Sequence, residues 1–331
     1  MVNQAKKYLV TGGSGFLGSA LVRALVKAGH QVRVLDNNSR GACRKIADLI
    51  NNLEFIEADI RDKDRVLSAS CGVDSIIHLA YINGTEFFYT KPDLVLDVGV
   101  RGMLNVLDAC STHNIKELIL ASSSEVYQTP PYVPTDEKVP LSVPDVLNPR
   151  YSYGGGKIIS ELLSINYARK NLERMIIFRP HNIYGADMGW EHVLPQFILR
   201  ALDLIKAQPE GVIDFPIQGD GSQTRAFCHI DDFTRGLMLL LEKGEHLNIY
   251  HIGSPQEITM KEAAETVIRY FGREANVVQA QDLPAGGTPR RCPDIKKLNQ
   301  LGFVPQISLA QGVVSMAQWY AQNYHLRPNS Q

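Results

Sequence analysis

Along the first half of the chain, short runs of apolar and β-branched residues alternate with longer stretches in which apolar positions recur at helical spacing. Residues 8–11, 31–35, 53–58, 75–79 and 117–122 read as strands, while 20–28 and 97–112 read as amphipathic helices between them. A further strand at 175–178 follows a helical stretch that begins near residue 153. Such alternation predicts an α/β fold, a doubly wound parallel sheet with helices on both faces. After residue 179 the pattern changes: glycine, proline and tryptophan are scattered through 180–190, and helices are predicted at 195–207, 231–242, 259–271 and 309–323. A polar turn at 218–224 precedes an apolar run at 227–230. The expected organisation is therefore residues 1–178, with 226–250 returning to them, and a smaller C-terminal α/β substrate lobe from 179–225 and 251–331. The tail 327–331 is expected to fray.

Composition narrows the partners. The chain has 331 residues, 44% hydrophobic and 21% charged, with a formal net charge of −1. That balance gives no electrostatic reason to expect nucleic acid or a membrane surface, so an anionic ligand must be held by local groups. The five cysteines are far apart and form no C-x-x-C pair, which predicts no metal site and free thiols in a reducing cytoplasm. The apolar run after Lys6 and Lys7 is broken by Thr11, Gly12 and Gly13, too early for a signal-peptide core, and no run of 18 apolar residues is present to span a membrane.

Candidate chemistry begins at Thr11–Gly12–Gly13–Ser14–Gly15–Phe16–Leu17–Gly18, a T-G-x-x-G-x-x-G turn between a strand and a helix. Gly12 permits the tight turn, Gly15 lets backbone approach a pyrophosphate, Gly18 lets helix pack on sheet, and the helix start offers unpaired N–H groups to phosphates. Asp36, at the end of the next strand, is placed to accept from both ribose hydroxyls and to repel a 2′-phosphate, which favours NAD over NADP; nearby Arg40 is the counter-signal. Asp59 and Ile60 after the third strand either flank the adenine or, for Asp59, cap a helix.

Tyr153 and Lys157 stand four apart and share a helix face. An ammonium beside a phenol lowers its pKa toward neutrality, as a base acting on a sugar hydroxyl requires. Gly154, Gly155 and Gly156 between them break helix propensity and predict close approach of a ligand or another helix. Ser122, Ser123, Ser124, Glu125, Val126 and Tyr127 close a strand where ligands of open α/β sheets sit.

Together with Arg179, Asn182, Tyr184 and Gly185, and then Gly219, Asp220, Thr224, Arg225, Phe227, Asp232, Arg291 and Asp294, these motifs resemble the NAD-dependent epimerase/dehydratase family of extended short-chain dehydrogenases over nearly the whole chain. The resemblance implies a Rossmann-type fold and an enzyme that binds NAD and modifies a nucleotide-diphosphate sugar by transient oxidation at C4. It implies a cofactor site of Gly12, Gly15, Phe16, Leu17, Gly18, Asp36, Asp59, Ile60, Leu79 and Ala80 with Tyr153 and Lys157. Tyr153 is implied as base, Lys157 as its partner, Ser123 as a hydrogen bond to the reacting oxygen, Asn182 as a substrate-binding amide, and Arg225 with Arg291 as a diphosphate clamp. A homodimer through the helices near 97–112 and 153–170 is implied as well.

Ser123, Ser124 and Glu125 resemble the decarboxylases and GDP-mannose dehydratases more than the dTDP-glucose dehydratases, which carry aspartate at the place of Ser124. The expected reaction is a 4,6-dehydration or a UDP-glucuronate-decarboxylase-like step with Glu125 at C5; alternatives are a UDP-sugar 4-epimerase and a non-catalytic NAD-sensing module. Gln128 and Gly99 depart from the family's glycine and asparagine, and residues 186–192 depart from the decarboxylase sequence. His192 and Trp190 are expected either to line the sugar site or to pack.

Overall fold

In the computed structural model, which describes residues 5–282 and 288–327, the predicted runs become strands β1 (Lys7–Thr11), β2 (Gln31–Asp36), β3 (Glu54–Glu57), β4 (Ser75–His78), β5 (Glu117–Ala121) and β6 (Arg174–Pro180). The tail beyond 327 lies outside the described residues. Short strands β7 (Ile183–Tyr184), β8 (Ile213–Gln218), β9 (Thr224–Ala226) and β10 (Cys228–His229) follow, and then β11 (Asn248–Ile252) pairs with β6. One seven-stranded sheet results, in the order β11-β6-β5-β4-β1-β2-β3, with all its pairings parallel. Its order reverses at β1 and β4, which opens a crevice at their carboxyl ends.

Leu9, Val10, Ile76, Ile77, Leu118, Ile119, Ile176 and Ile177 are almost completely buried because helices cover both faces. Helices Gly102–Thr112 and Ser152–Asn171 pack on one side with Val106, Leu107 and Ala168; helices Phe16–Lys27 and Ile230–Lys243 pack on the other with Leu21, Leu25, Leu237 and Leu240. The first turn of the predicted 97–112 helix is π-helical, over Asp97–Arg101, before it continues as α-helix.

A third core gathers Phe197, Phe215, Val267 and Met316 from helices Val193–Ala207, Met260–Tyr270 and Leu309–Gln322 and from β8. Capping boxes at Thr259 and Ser308 start the last two helices. Strands β7, β8, β9 and β11 were not expected, nor were three more: β12 (Glu257–Thr259) and β14 (Arg290–Arg291) flank β9, and β13 (Ala275–Gln281) pairs with β8. Ile213, Phe215 and Ile217 do alternate, but Pro216 obscures the run; a two-stranded sheet tolerates it because both strands are edges.

Candidate functional site

At the end of β1 the chain turns back on itself with Gly12 at φ +75°, where a Cβ would lie 2.7 Å from the Ala80 nitrogen; a Cβ on Gly18 would lie 2.1 Å from the Gly12 oxygen. Helix Phe16–Lys27 starts at Gly15 without a side-chain cap, so its first N–H groups remain available to an anion. They border a cavity of about 490 Å³ that runs from Gly12 and Asp36 to Ser123, Tyr153 and Asn182. Its size and open glycine cradle fit a dinucleotide.

Asp36 is buried, and its carboxylate accepts from the backbone of Ser14 at 3.0 Å and Asn38 at 2.9 Å. Those bonds fix the carboxylate at this end of the cleft. Arg40 is not free to answer a 2′-phosphate: its guanidinium pairs with Glu191 and lies 4.8 Å from the Phe87 ring centre. Arg44 binds both oxygens of Asp187, at 2.6 and 2.9 Å, and Lys45 donates to the Asp187 carbonyl. The unusual 186–192 segment thus ties the loop after β2 to the other side of the cleft. Asp59 lines the cleft and is bound to Arg61 and Asn37, whereas the cap of helix Lys63–Ser70 is Asp62. Phe16, Leu17, Ile60, Leu79 and Ala80 also line it.

At the other end, Ser123 caps the short turn Ser124–Tyr127, its hydroxyl accepting from Glu125 N at 3.1 Å, and Ser124 borders the cavity. Tyr153 is buried, stacked on Phe88 at 4.8 Å and edge-on to Tyr81 at 5.1 Å. Lys157, also buried, donates to the Ala121 carbonyl at 2.7 Å. Burial lowers the Lys157 ammonium to about 7 although Glu161 opposes it. The expectation of a lowered phenol is corrected for the unliganded chain. Burial raises the Tyr153 pKa, a Ser123 hydrogen bond pulls it down, and Glu125 adds to the rise. Desolvation outweighs the rest because the Lys157 ammonium is directed at Ala121 and Tyr81.

Glu125 is held by Arg291, at 2.6 Å, with Arg150 at 3.7 Å. Burial pushes the Glu125 carboxyl up, but Arg291, then Arg150 and Arg225, outweigh it and hold it below the usual carboxylate range. Arg291 also donates to Thr288, and Arg225 donates to the Thr224 carbonyl. Burial, and then the charge of Arg291, lowers Arg225 to about 10. Of these groups Glu125 and Arg291 line the cavity, while Glu257 also acts on Arg225. Asn182, at φ +43°, donates to the Ala226 carbonyl and lines the cavity; so does His192, whereas Trp190 packs on Trp319 and Tyr320.

Neighbouring protein groups account for two of the three consecutive glycines. A Cβ on Gly154 would meet the Gln128 amide nitrogen at 2.5 Å, and one on Gly156 would meet the Tyr81 hydroxyl at 2.1 Å; Gly155 has only Val143 nearby, at 3.5 Å. Gln128 itself takes φ +52°, the conformation that favours glycine, and its amide donates to the Glu125 carbonyl at 2.6 Å. Tyr81, Phe88 and Arg150 were not singled out from sequence. The signal for Tyr81 was present in Gly99 and Gly156, two small residues on separate helices that leave room for one ring. Among the described residues no group of metal-binding side chains occurs, and no helix is long and apolar enough to cross a membrane.

The family model described as the NAD dependent epimerase/dehydratase family matches residues 8–253. The chain belongs to the NAD dependent epimerase/dehydratase family. A UDP-N-acetyl-alpha-D-glucosaminuronate decarboxylase of Bacillus cytotoxicus is 31% identical over 328 residues, which cover 96% of this chain and 98% of that protein. A dTDP-glucose 4,6-dehydratase of Streptomyces niveus is 29% identical, over 96% of this chain and 93% of its own. Among solved structures, a dTDP-glucose 4,6-dehydratase from Streptomyces venezuelae with NAD bound superposes with a TM-score of 0.84 at 28% identity, covering 97% of this chain and 98% of that one. The likeness extends over nearly the whole chain and covers the parallel sheet with its flanking helices.

Proposed function

We propose that the chain is an NAD-dependent nucleotide-sugar enzyme acting through oxidation at C4, and that its sugar carries a carboxylate which it removes. The observation that carries this choice is the Glu125 cluster. Arg291 lines the cavity beside Glu125, 2.6 Å from its carboxylate, and its guanidinium is suited to hold an anionic substituent of the sugar. The Bacillus cytotoxicus relative, a decarboxylase of a uronate sugar, supports the same reaction class. A 4,6-dehydration, as named for the Streptomyces niveus relative, is the second reading, because an ionised Glu125 also suits removal of the C5 proton.

Gly12, Gly15 and Gly18 would hold the NAD pyrophosphate and Asp36 its adenosine ribose. When bound, NAD supplies the two-electron acceptor that takes the C4 hydrogen and later returns it. Tyr153, in its ionised form, removes the C4 hydroxyl proton, Lys157 stabilises the phenolate, and Ser123 hydrogen bonds the same oxygen. With the C4 ketone formed, the C5–C6 bond breaks, its electron pair passes into the enolate, and CO₂ leaves. C5 then takes a proton from water held by Glu125. Arg291 orients the departing carboxylate, and Asn182 and Arg225 bind the nucleotide part.

The test is a panel of UDP- and dTDP-sugars with and without a C6 carboxylate, read by product mass and CO₂ release. Glu125→Gln is expected to leave C4 oxidation, seen in the reduced-nicotinamide absorbance, and the first release of CO₂ in place, and to slow formation of the C5-protonated product by about 100-fold or more. A 4-keto-6-deoxy product from a neutral sugar selects dehydration instead, and an unchanged product in Glu125→Gln selects 4-epimerisation.

The same reading divides the chain into an NAD-binding part, residues 1–178 with 226–250, and a sugar-nucleotide part, although Ile295, Leu298 and Phe303 of the latter pack into the core of the sheet. The same reading includes a homodimer. Leu104, Ile159 and Leu162 are 45%, 40% and 57% exposed on the adjoining helices Gly102–Thr112 and Ser152–Asn171. Sedimentation is expected to show a dimer that Leu162→Glu converts to monomer.

A further inference from the structure

Three contacts converge on Tyr81, just beyond the end of β4. Its ring face carries the Lys157 ammonium 3.9 Å from the centroid. The same ring meets Tyr153 at 5.1 Å and 86°. Its hydroxyl is buried without a hydrogen-bond partner among the described residues, in the notch where Cβ atoms of Gly99 and Gly156 would lie 2.2 and 2.1 Å away. Any side chain at either glycine displaces the phenol, so Tyr81, Gly99 and Gly156 form one packing unit. Gly99 lies within the π-turn Asp97–Arg101, the kind of local irregularity found at functional sites.

We propose that Tyr81 is a positioning residue that holds Lys157 in its charged form, beside Tyr153, by presenting its ring face to the ammonium. This rests on the assignment of Tyr153 as base and Lys157 as its partner. The surroundings leave the ring much of the task. Glu161, one turn along the helix, favours the charged lysine, but its carboxylate is already bound by Arg179 at 2.6 and 2.9 Å. His78, at the end of β4, has its pKa lowered to about 3 by burial and by Lys157, so it is neutral and contributes no counter-charge. Ala121 offers a carbonyl dipole, and Tyr153 is a protonated phenol in the unliganded chain. A cation over a desolvated aromatic face is at the strong end of such interactions. The hydroxyl contributes volume rather than a hydrogen bond, which makes phenylalanine the conservative replacement.

Tyr81→Leu removes the ring but keeps the surroundings apolar. Two readouts follow the lysine in the NAD-loaded enzyme: the alkaline limb of turnover against pH, and the ¹⁵N shift of Lys157 Nζ, assigned by its loss in Lys157→Met. In Tyr81→Leu the ammonium is expected to deprotonate roughly 0.5–1.5 pH units lower than in the unmodified enzyme in both readouts. Tyr81→Phe is expected to keep the original midpoint. Should Tyr81→Leu fail to fold, Tyr81→Leu with Gly99→Ala and Gly156→Ala refills the space and carries the same expected shift. A midpoint unchanged in the folded leucine variant, or moved equally by phenylalanine, overturns the proposal. Failure of the underlying assignment is separate: turnover would survive Tyr153→Phe, while the nitrogen shift would still report on Lys157.

Discussion

Tyr153→Phe is expected to lower turnover by about 10²–10⁴-fold while NAD binding is retained. The hydroxyl is the only atom removed, and the ring keeps its stack on Phe88 and its edge contact with Tyr81. Stability is therefore expected to fall by no more than about 1 kcal/mol, the loss of the hydrogen bond with Ser123. The sign of the pH dependence follows from the two pKa directions. Burial raises the Tyr153 pKa and lowers that of Lys157 to about 7, so the protonated phenol beside a charged lysine is the form present at low pH. As the pH rises the ammonium is therefore lost before the phenol ionises, and activity should fall through the Lys157 midpoint. Turnover measured from pH 5 to 10 checks this limb; substantial turnover by the phenylalanine variant would remove Tyr153 from the role of base.

Glu161→Ala is expected to destabilise the fold by about 3–5 kcal/mol, because it strands the Arg179 guanidinium in the interior. Arg179 and Glu161 side chains are 2% and 3% exposed, and they are joined by two bonds of 2.9 and 2.6 Å between β6 and helix Ser152–Asn171. Arg179 also donates to the Tyr127 hydroxyl, which contacts His251 at 2.6 Å, so the pair belongs to a network linking β6, β11 and the turn after β5. Denaturant unfolding gives the magnitude. Replacing both partners, Glu161→Leu with Arg179→Met, should recover much of the loss, since no unpaired charge then remains. If the single variant proves as stable as the original, the pair is dispensable and the network does not anchor the helix carrying Tyr153.

The glycine turn, Asp36, the serine run and the Tyr153–Lys157 spacing were legible in sequence because each depends on neighbours within one strand–turn–helix unit. Backbone conformation and helical periodicity place such residues without knowledge of the rest of the chain. Arg291 shows where that approach stops. As a diphosphate-type arginine it was grouped with Arg225, yet it lies against Glu125, 166 positions away in sequence. Arg40 was read as a signal for NADP, and its partner Glu191 is 151 positions away. Neither pairing leaves a local pattern.

From hydrophobic period, turn chemistry and the family's motifs, the sequence alone yields strands β1 to β6, the glycine turn and the groups at the carboxyl edge of the sheet, but not strands β7 to β9 or β11 to β14. What those groups face emerges only in the folded chain: Lys157 over Tyr81, Glu125 within three arginines, and Gly154 and Gly156 against Gln128 and Tyr81. The physical reason is that ionisation and close packing depend on distances of a few ångströms between segments far apart in the chain, which burial makes decisive and which no local pattern encodes.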